Sequence, residues 1–194
     1  MHGLVNRSIQ CFIRDTYGMD TWQAVVQAAE LGFDNFEAML SYEDSVTHQV
    51  IFAAAKILDK PAHTMLEDIG TYLICHKNVG YLRRLLRFGG DTFLEFLLSV
   101  DELPDRARLA VPELKLPALE LSEVSPGAFS LVMAAEPLGF GHVAMGILRA
   151  MADDYGALVY LEYAGLQHGN EIVSVQLLES SFAEGRTFDL AIGV

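Results

Sequence analysis

With 194 residues, 52% of them hydrophobic, the chain can bury a sizeable core as one large domain or two small lobes. Its formal net charge of −13 argues against nucleic acid or an anionic membrane surface as the main partner. The one basic cluster, Arg83, Arg84 and Arg87, is too small to reverse that.

No apolar run reaches the ~18 residues of a membrane span. The opening MHGLVNRSIQCFIRD lacks the basic start, apolar centre and small-residue cleavage site of a secretory signal. A cytoplasmic protein is therefore expected. Cys11 and Cys75 stand far apart without metal-ligand spacing and read as buried thiols.

Residues 1–17 predict a helix, with Leu4, Val5, Ile9, Phe12 and Ile13 as one apolar stripe and Gly18 as its stop. Asp20 or Thr21 is placed to cap a second helix carrying Trp22, Val25, Val26 and Ala29, which Gly32 ends. Asp44 or Ser45 opens a third, with Val46, Val50, Ile51, Ala54 and Ile57 inward. A fourth covers 62–76, with Met65, Ile69, Tyr72 and Leu73 on its face, and a shorter one covers 79–87.

The stretch 93–117, FLEFLLSVDELPDRARLAVPELKLP, begins as an apolar helix with Phe93, Phe96, Leu97 and Val100 on one face. Pro104 interrupts its stripe after Leu103, and a proline inside a helix removes a backbone donor and clashes with the preceding turn. The helix is expected to end or kink there. Position 104 also offers no side chain that coordinates or titrates.

Beyond Pro112 the pattern changes. Residues 116–124 and 128–136 predict strands around a turn at Ser125, Pro126 and Gly127. Residues 139–156 predict an amphipathic helix that buries Val143, Met145, Ile147, Leu148 and Met151. Strands at 157–165 and 170–179 follow, around a turn near His168, Gly169 and Asn170, and 187–194 is a candidate edge strand. The expectation is α+β: one domain over 1–194, helical over 1–110 and β-β-α-β-β over 111–194, the helical lobe packed on an antiparallel sheet with one inserted helix.

Taken together, MHGLVNRSIQCFIRDTYG, the helices up to FLEFLLSVDEL, Pro117 and the LGFGHVAMGIL helix resemble the haem nitric oxide/oxygen binding (H-NOX) family, in order and over nearly the whole chain. In that family the helix matching 93–106 carries L-D-x-L-H, whose histidine ligates haem iron. This sequence reads VDELP, with Pro104 at the histidine's position. The family's Y-x-S-x-R motif binds the haem propionates, arginine supplying a fork of donors. Registered on Gly139, the matching positions are Met133, Ala135 and Pro137, with the negative Glu136 beside them.

Other pocket positions persist. The resemblance makes Pro117 the proline that presses on the porphyrin, Val5 and Ile9 distal-face residues, and Val143 and Ile147 pocket residues of the late helix. With Leu73 and Leu97 these seven line an apolar cavity or simply fill the core. His76, at the end of the fourth helix, is the candidate for a non-standard haem ligand, with Cys75 beside it; it reads equally as a helix-terminal histidine. His142 is expected to face solvent. His2, His48, His63 and His168 share no metal spacing, and no metal site is expected.

No nucleophile elbow, phosphate-binding glycine loop or acid–base pair is present, so no enzyme is expected. Three functions stay open: a non-catalytic sensory domain with an apolar ligand pocket and without haem held in the usual way; a nitric oxide or redox sensor holding haem or another tetrapyrrole through a non-standard ligand; and a structural interaction module with a filled core. For the first, the resemblance implies a separate signalling partner, a histidine kinase or a cyclase.

Overall fold

The computed structural model describes residues 1–136 and 139–188. Helices α1 (Gly3–Tyr17), α2 (Met19–Ala28), α3 (Asp44–Ile57), α4 (Ala62–Cys75) and α5 (Gly80–Arg87) lead into α6 (Phe93–Leu98) and α7 (Leu103–Ala110). Strands β1 (Leu119–Ser125) and β2 (Ala128–Ala134), helix α8 (Phe140–Tyr155), and strands β3 (Leu158–Gln167) and β4 (Asn170–Glu179) complete the described chain. The fold is α+β, as the segregation of helical and strand patterns predicts.

The four strands form an antiparallel sheet in the order β1-β2-β4-β3. Burial alternates strictly along β2, so Phe129, Leu131 and Met133 all point to the covered face. The register sets Leu131 beside Val173 and Phe129 beside Val175, which places four buried side chains on one inner surface. His168 (φ 51°) and Gly169 (φ 81°) form a two-residue turn of the kind that suits the twist of a tight hairpin.

Two hydrophobic cores result. One gathers α1, α2, α3 and α4 around Phe12, Ile13, Trp22, Phe36 and Met65. The other packs α6 and α8 on the sheet around Phe93, Phe96, Leu97, Leu131 and Met151. Helix α4 is the wall between them: Met65, Ile69 and Tyr72 belong to the first core, while Ile74 belongs to the second.

Contrary to expectation, Pro104 breaks no helix. Helix α6 has already ended at Leu98, a 3-10 turn spans Val100–Glu102, and Pro104 sits in the first turn of α7. There the missing N–H has no intrahelical acceptor and the fixed φ suits helix entry. Neither Asp20 nor Thr21 caps α2; the chain turns at Gly18 (φ 93°), and the Thr21 hydroxyl donates to the Tyr17 carbonyl. Helix α2 also stops at Ala28, before Gly32.

Ile57 is exposed, as the last residue of α3 before the chain reverses at Asp59 (φ 51°). Cys75 is exposed too, since the inward positions of its turn belong to Tyr72 and Ile74. Cys11 is half-buried, and burial pushes its thiol pKa up. The expected edge strand lies largely in residues 189–194, outside the described residues.

Candidate functional site

The family pocket, placed by resemblance, would draw its lining from α1, α4, α6, β2 and α8. On α1 and α4, Ile9 is buried, and Val5 and Leu73 are half-buried against the helical core. His76 caps the 3-10 turn at Lys77–Val79, its Nδ1 accepting from the Asn78 N–H at 3.4 Å. The imidazole stacks on Tyr72 at 4.7 Å between ring centroids and faces Asp15 at 3.5 Å. Asp15 in turn accepts from the Tyr72 hydroxyl at 2.7 Å and from Asn78 Nδ2 at 3.0 Å. That phenol hydrogen bond holds the Asp15 carboxyl below the usual carboxylate range, while burial and the same carboxylate push the Tyr72 phenol up.

Farther along the chain, Leu97 is fully buried in the sheet core, and Pro104 and Pro117 are buried as well. Met133 is a buried core side chain of β2 and Ala135 follows the end of that strand. Pro137 lies outside the described residues. Neither Met133 nor Ala135 supplies a donor for a propionate, and the neighbouring Glu136 is exposed.

Two of these helices meet directly. Helices α4 and α8 cross at Gly70 and Gly146, each glycine set against the other helix's backbone. A Cβ on Gly70 would collide with the Val143 carbonyl oxygen and stand 2.9 Å from the Ile147 nitrogen. A Cβ on Gly146 would collide with the Glu67 carbonyl oxygen and stand 2.9 Å from the Thr71 nitrogen. Side chains have no room at this crossing. Val143 and Ile147, expected to be buried, are only half-buried because the backbone of their turn, not their side chains, makes the contact.

Among the described residues, two hollows lie elsewhere. One is a sliver too narrow for water, bounded by Leu86, Phe96, Val100 and Leu103. The other is an open groove of about 500 Å³ along Glu102, Asp105, Arg106, Arg108 and Leu109. Neither is lined by any of the seven pocket positions.

Helix α8 also carries a polar cluster that sequence spacing did not reveal. His142, expected to face solvent, is largely buried, its ring 4.1 Å from that of Tyr163 on β3 and 5.5 Å from that of His63 on α4. Its Nδ1 stands 3.5 Å from Glu67, which also pairs with Arg149 at 3.1 Å. Nevertheless, among the described residues no three such groups converge to hold a metal ion.

Next to it, the buried Glu171 accepts from the Gly139 N–H (3.1 Å), the Gly141 N–H (2.9 Å) and the Tyr163 hydroxyl (2.8 Å). A carboxylate from β4 thus closes the N-terminus of α8, where helix-end N–H groups favour an anion. Burial, with Glu171 alongside, pushes the Tyr163 phenol up to about 12.

Beside this geometry, comparison with known proteins decides the family. The haem-NO-binding family model matches residues 2–162. The chain belongs to the haem-NO-binding family. These are gas- and haem-sensing domains related to the soluble guanylate cyclases.

The chain is 25% identical over 169 residues to soluble guanylate cyclase gcy-31 of Caenorhabditis elegans, covering 87% of this chain and 24% of that protein. It is 23% identical over 173 residues to soluble guanylate cyclase 89Db of Drosophila melanogaster, covering 89% and 26%. The chain thus spans about a quarter of the length of these relatives.

In fold it matches the Fe(II) unliganded H-NOX protein of K. algicida at TM-score 0.80 and 12% identity, over 95% of this chain and 100% of that one. An H-NOX protein of S. oneidensis in the Fe(II)NO state matches at TM-score 0.77 and 15% identity, over 92% and 100%. No described helix of the H-NOX chain is long and apolar enough to cross a membrane.

Proposed function

We propose that the chain is a non-catalytic H-NOX signalling domain that works without haem, its core closed, and that acts through contact with a signalling protein. The observation that carries this reading is the crossing of α4 and α8. Two helices that carry pocket positions are in backbone contact at Gly70 and Gly146, so no flat macrocycle fits between them. Ile74 of α4 and Leu148 of α8 share one buried core with Phe96 and Leu97 of α6.

The donor set agrees with that geometry. Pro104 offers iron no lone pair, Met133 and Ala135 offer a propionate no cation, and a buried unpaired carboxylate is costly. The residues present do not fit haem. In this reading Val5, Ile9, Leu73, Leu97, Pro117, Val143 and Ile147 serve as packing instead of lining a ligand pocket. His76 serves as a cap, stacked on Tyr72 beside Asp15. A histidine kinase or a cyclase is the kind of partner that the family and the guanylate cyclase relatives suggest.

The test is an absorption spectrum of the purified protein after haem addition, read together with its melting temperature. The expected result is no protein-bound Soret band and no melting shift, since a ligand that binds only the folded state must raise stability. A sharp Soret band that moves with nitric oxide and is lost in His76→Ala would overturn the proposal. A melting shift with one member of a panel of apolar molecules would overturn the closed core while leaving the absence of haem standing.

A further inference from the structure

The last described segment, 182–188, is fastened to the rest of the fold by the backbone carbonyls of Asp154 and Gly156 and by two arginines. Asp154, in the last turn of α8, has no exposed surface. Its Oδ1 accepts from Arg83 Nε of α5 at 2.8 Å. Its backbone carbonyl accepts from the Arg186 N–H at 2.8 Å, and the Gly156 carbonyl accepts from the N–H groups of Phe182 and Ala183 at 2.8 and 3.0 Å. Arg83 also donates to the Thr187 carbonyl at 3.1 Å. Gly156 (φ 76°) lets the segment lie this close, because a Cβ there would collide with the Ala183 carbonyl oxygen.

The second arginine is only half engaged. Arg87 Nε stands 3.8 Å from Asp154 Oδ2, beyond hydrogen-bond reach. Both atoms are buried and neither has a hydrogen-bond partner among the described residues. Leaving a buried donor and a buried acceptor unmade is costly, and here the two face each other less than 1 Å beyond bonding range. What holds them apart is visible. The Arg87 guanidinium packs against two aromatic rings, 4.0 Å from the centroid of Tyr155 and 4.9 Å from that of Phe188.

We propose that 182–188 is a strap with two positions, set by competition for Arg87 between the Phe188 ring and Asp154. Docked, Phe188 keeps the guanidinium stacked and the Asp154 carboxylate is hydrogen-bonded by Arg83 alone, Arg87 remaining an ion-pair neighbour at 3.8 Å. When the strap lifts, the ring leaves, Arg87 closes on Oδ2, and the new charge-assisted bond offsets the packing and hydrogen bonding that the strap gives up. The two positions are therefore close in free energy, and a small displacement of α5 selects between them. That the strap passes this displacement on to a partner rests on the signalling reading above; the latch itself does not.

Hydrogen exchange on the 194-residue chain, without haem or partner, tests the latch apart from that reading. In Phe188→Ala the Ala183 and Arg186 amides are expected to exchange at least 10-fold faster, while Val173 and Val175 of β4 keep their rates and the Arg87 Nε–H exchanges more slowly. Arg87→Gln is expected to loosen the strap as well, and the double variant to loosen it by less than the sum of the two, because they share the Arg87–Phe188 contact even though the Phe188 ring also lies 5.7 Å from Arg83. Unchanged strap exchange in Phe188→Ala, or additive effects in the double variant, would overturn the proposal. If Arg87→Gln also speeds the β4 amides, Phe188→Ala decides alone: strap exchange must rise and Arg87 Nε–H exchange must fall together, and either one missing sinks the latch.

Discussion

Replacing Gly70 with alanine tests the contact on which the functional reading turns. In a solvent-exposed helix interior this change stabilises by about 1 kcal/mol, because glycine loses more backbone entropy on folding. At Gly70 the new Cβ meets backbone atoms only: the Val143 carbonyl oxygen, the Ile147 nitrogen at 2.9 Å and the Gly146 Cα at 3.0 Å. None can rotate away, so α8 must shift bodily on α4 by roughly 1 Å, and overpacking of this kind costs about 1–3 kcal/mol or more. With rigid backbone on both sides the upper end applies, and the net loss after the propensity gain is about 2 kcal/mol. At roughly 2–4 °C per kcal/mol for a chain of this size, the melting temperature falls by about 4–8 °C.

Gly146→Ala is expected to behave alike, against Glu67 and Thr71. Gly80→Ala is the control, since a Cβ there meets nothing within 4 Å and its φ of −56° is helical. It should be neutral or stabilising. Thermal and urea unfolding followed by circular dichroism make the measurement. If Gly70→Ala stabilises as much as Gly80→Ala, the helices are not in backbone contact and a cleft stands where a closed core is proposed.

Glu171→Ala leaves two helix-end N–H groups and a phenol without their acceptor, and is expected to cost about 3 kcal/mol or more in urea unfolding; Glu171→Gln, which keeps an acceptor oxygen, should cost less. The raised pKa of Tyr163 means that the folded state favours the neutral phenol. Its contribution is complete below the unfolded value near 10 and is lost as pH rises through about 12, which an ultraviolet titration beside the unfolding curve will register. Asp15 has the opposite sign: its lowered pKa contributes stability at neutral pH that disappears as pH falls through the folded value. Acid unfolding of Asp15→Asn should lack that part of the slope. Thr92→Ala removes half of a complete capping box on α6 and is expected to cost about 1 kcal/mol in the same unfolding assay.

Helix and strand order is legible in the sequence because the apolar periods are clean. The stripe Ile9, Phe12, Ile13 repeats at helical spacing and is buried, and Phe129, Leu131, Met133 alternates and faces the sheet core. Gly18 and Gly139 mark helix ends in sequence, and both do so in the fold with positive φ. Pro104 misleads because a proline in the middle of an apolar stripe and a proline in the first turn of a new helix look alike in sequence. The 3-10 turn at Val100–Glu102 separates the two cases.

The Asp20 and Thr21 caps fail for a related reason. A positive-φ glycine ends one helix and starts the next without help from a side chain. Gly70 and Gly146 give a faint signal, since a glycine inside a helix is costly unless another backbone comes close, but which backbone is not readable. Nor is the packing of His142 on Tyr163 and His63, residues 21 and 79 positions away in sequence.

By itself the sequence determined the order of elements, the H-NOX resemblance and the absence of a histidine at 104 and of polar residues at 133, 135 and 137, because those depend on local period and residue identity. Only the tertiary structure decided that α4 and α8 touch at two glycines, that Glu171 closes α8 and that Asp154 gathers α5 and the strap. Each of these contacts joins residues about 30 to 80 positions apart, and they meet because packing two cores against one shared helix fixes where the backbones cross.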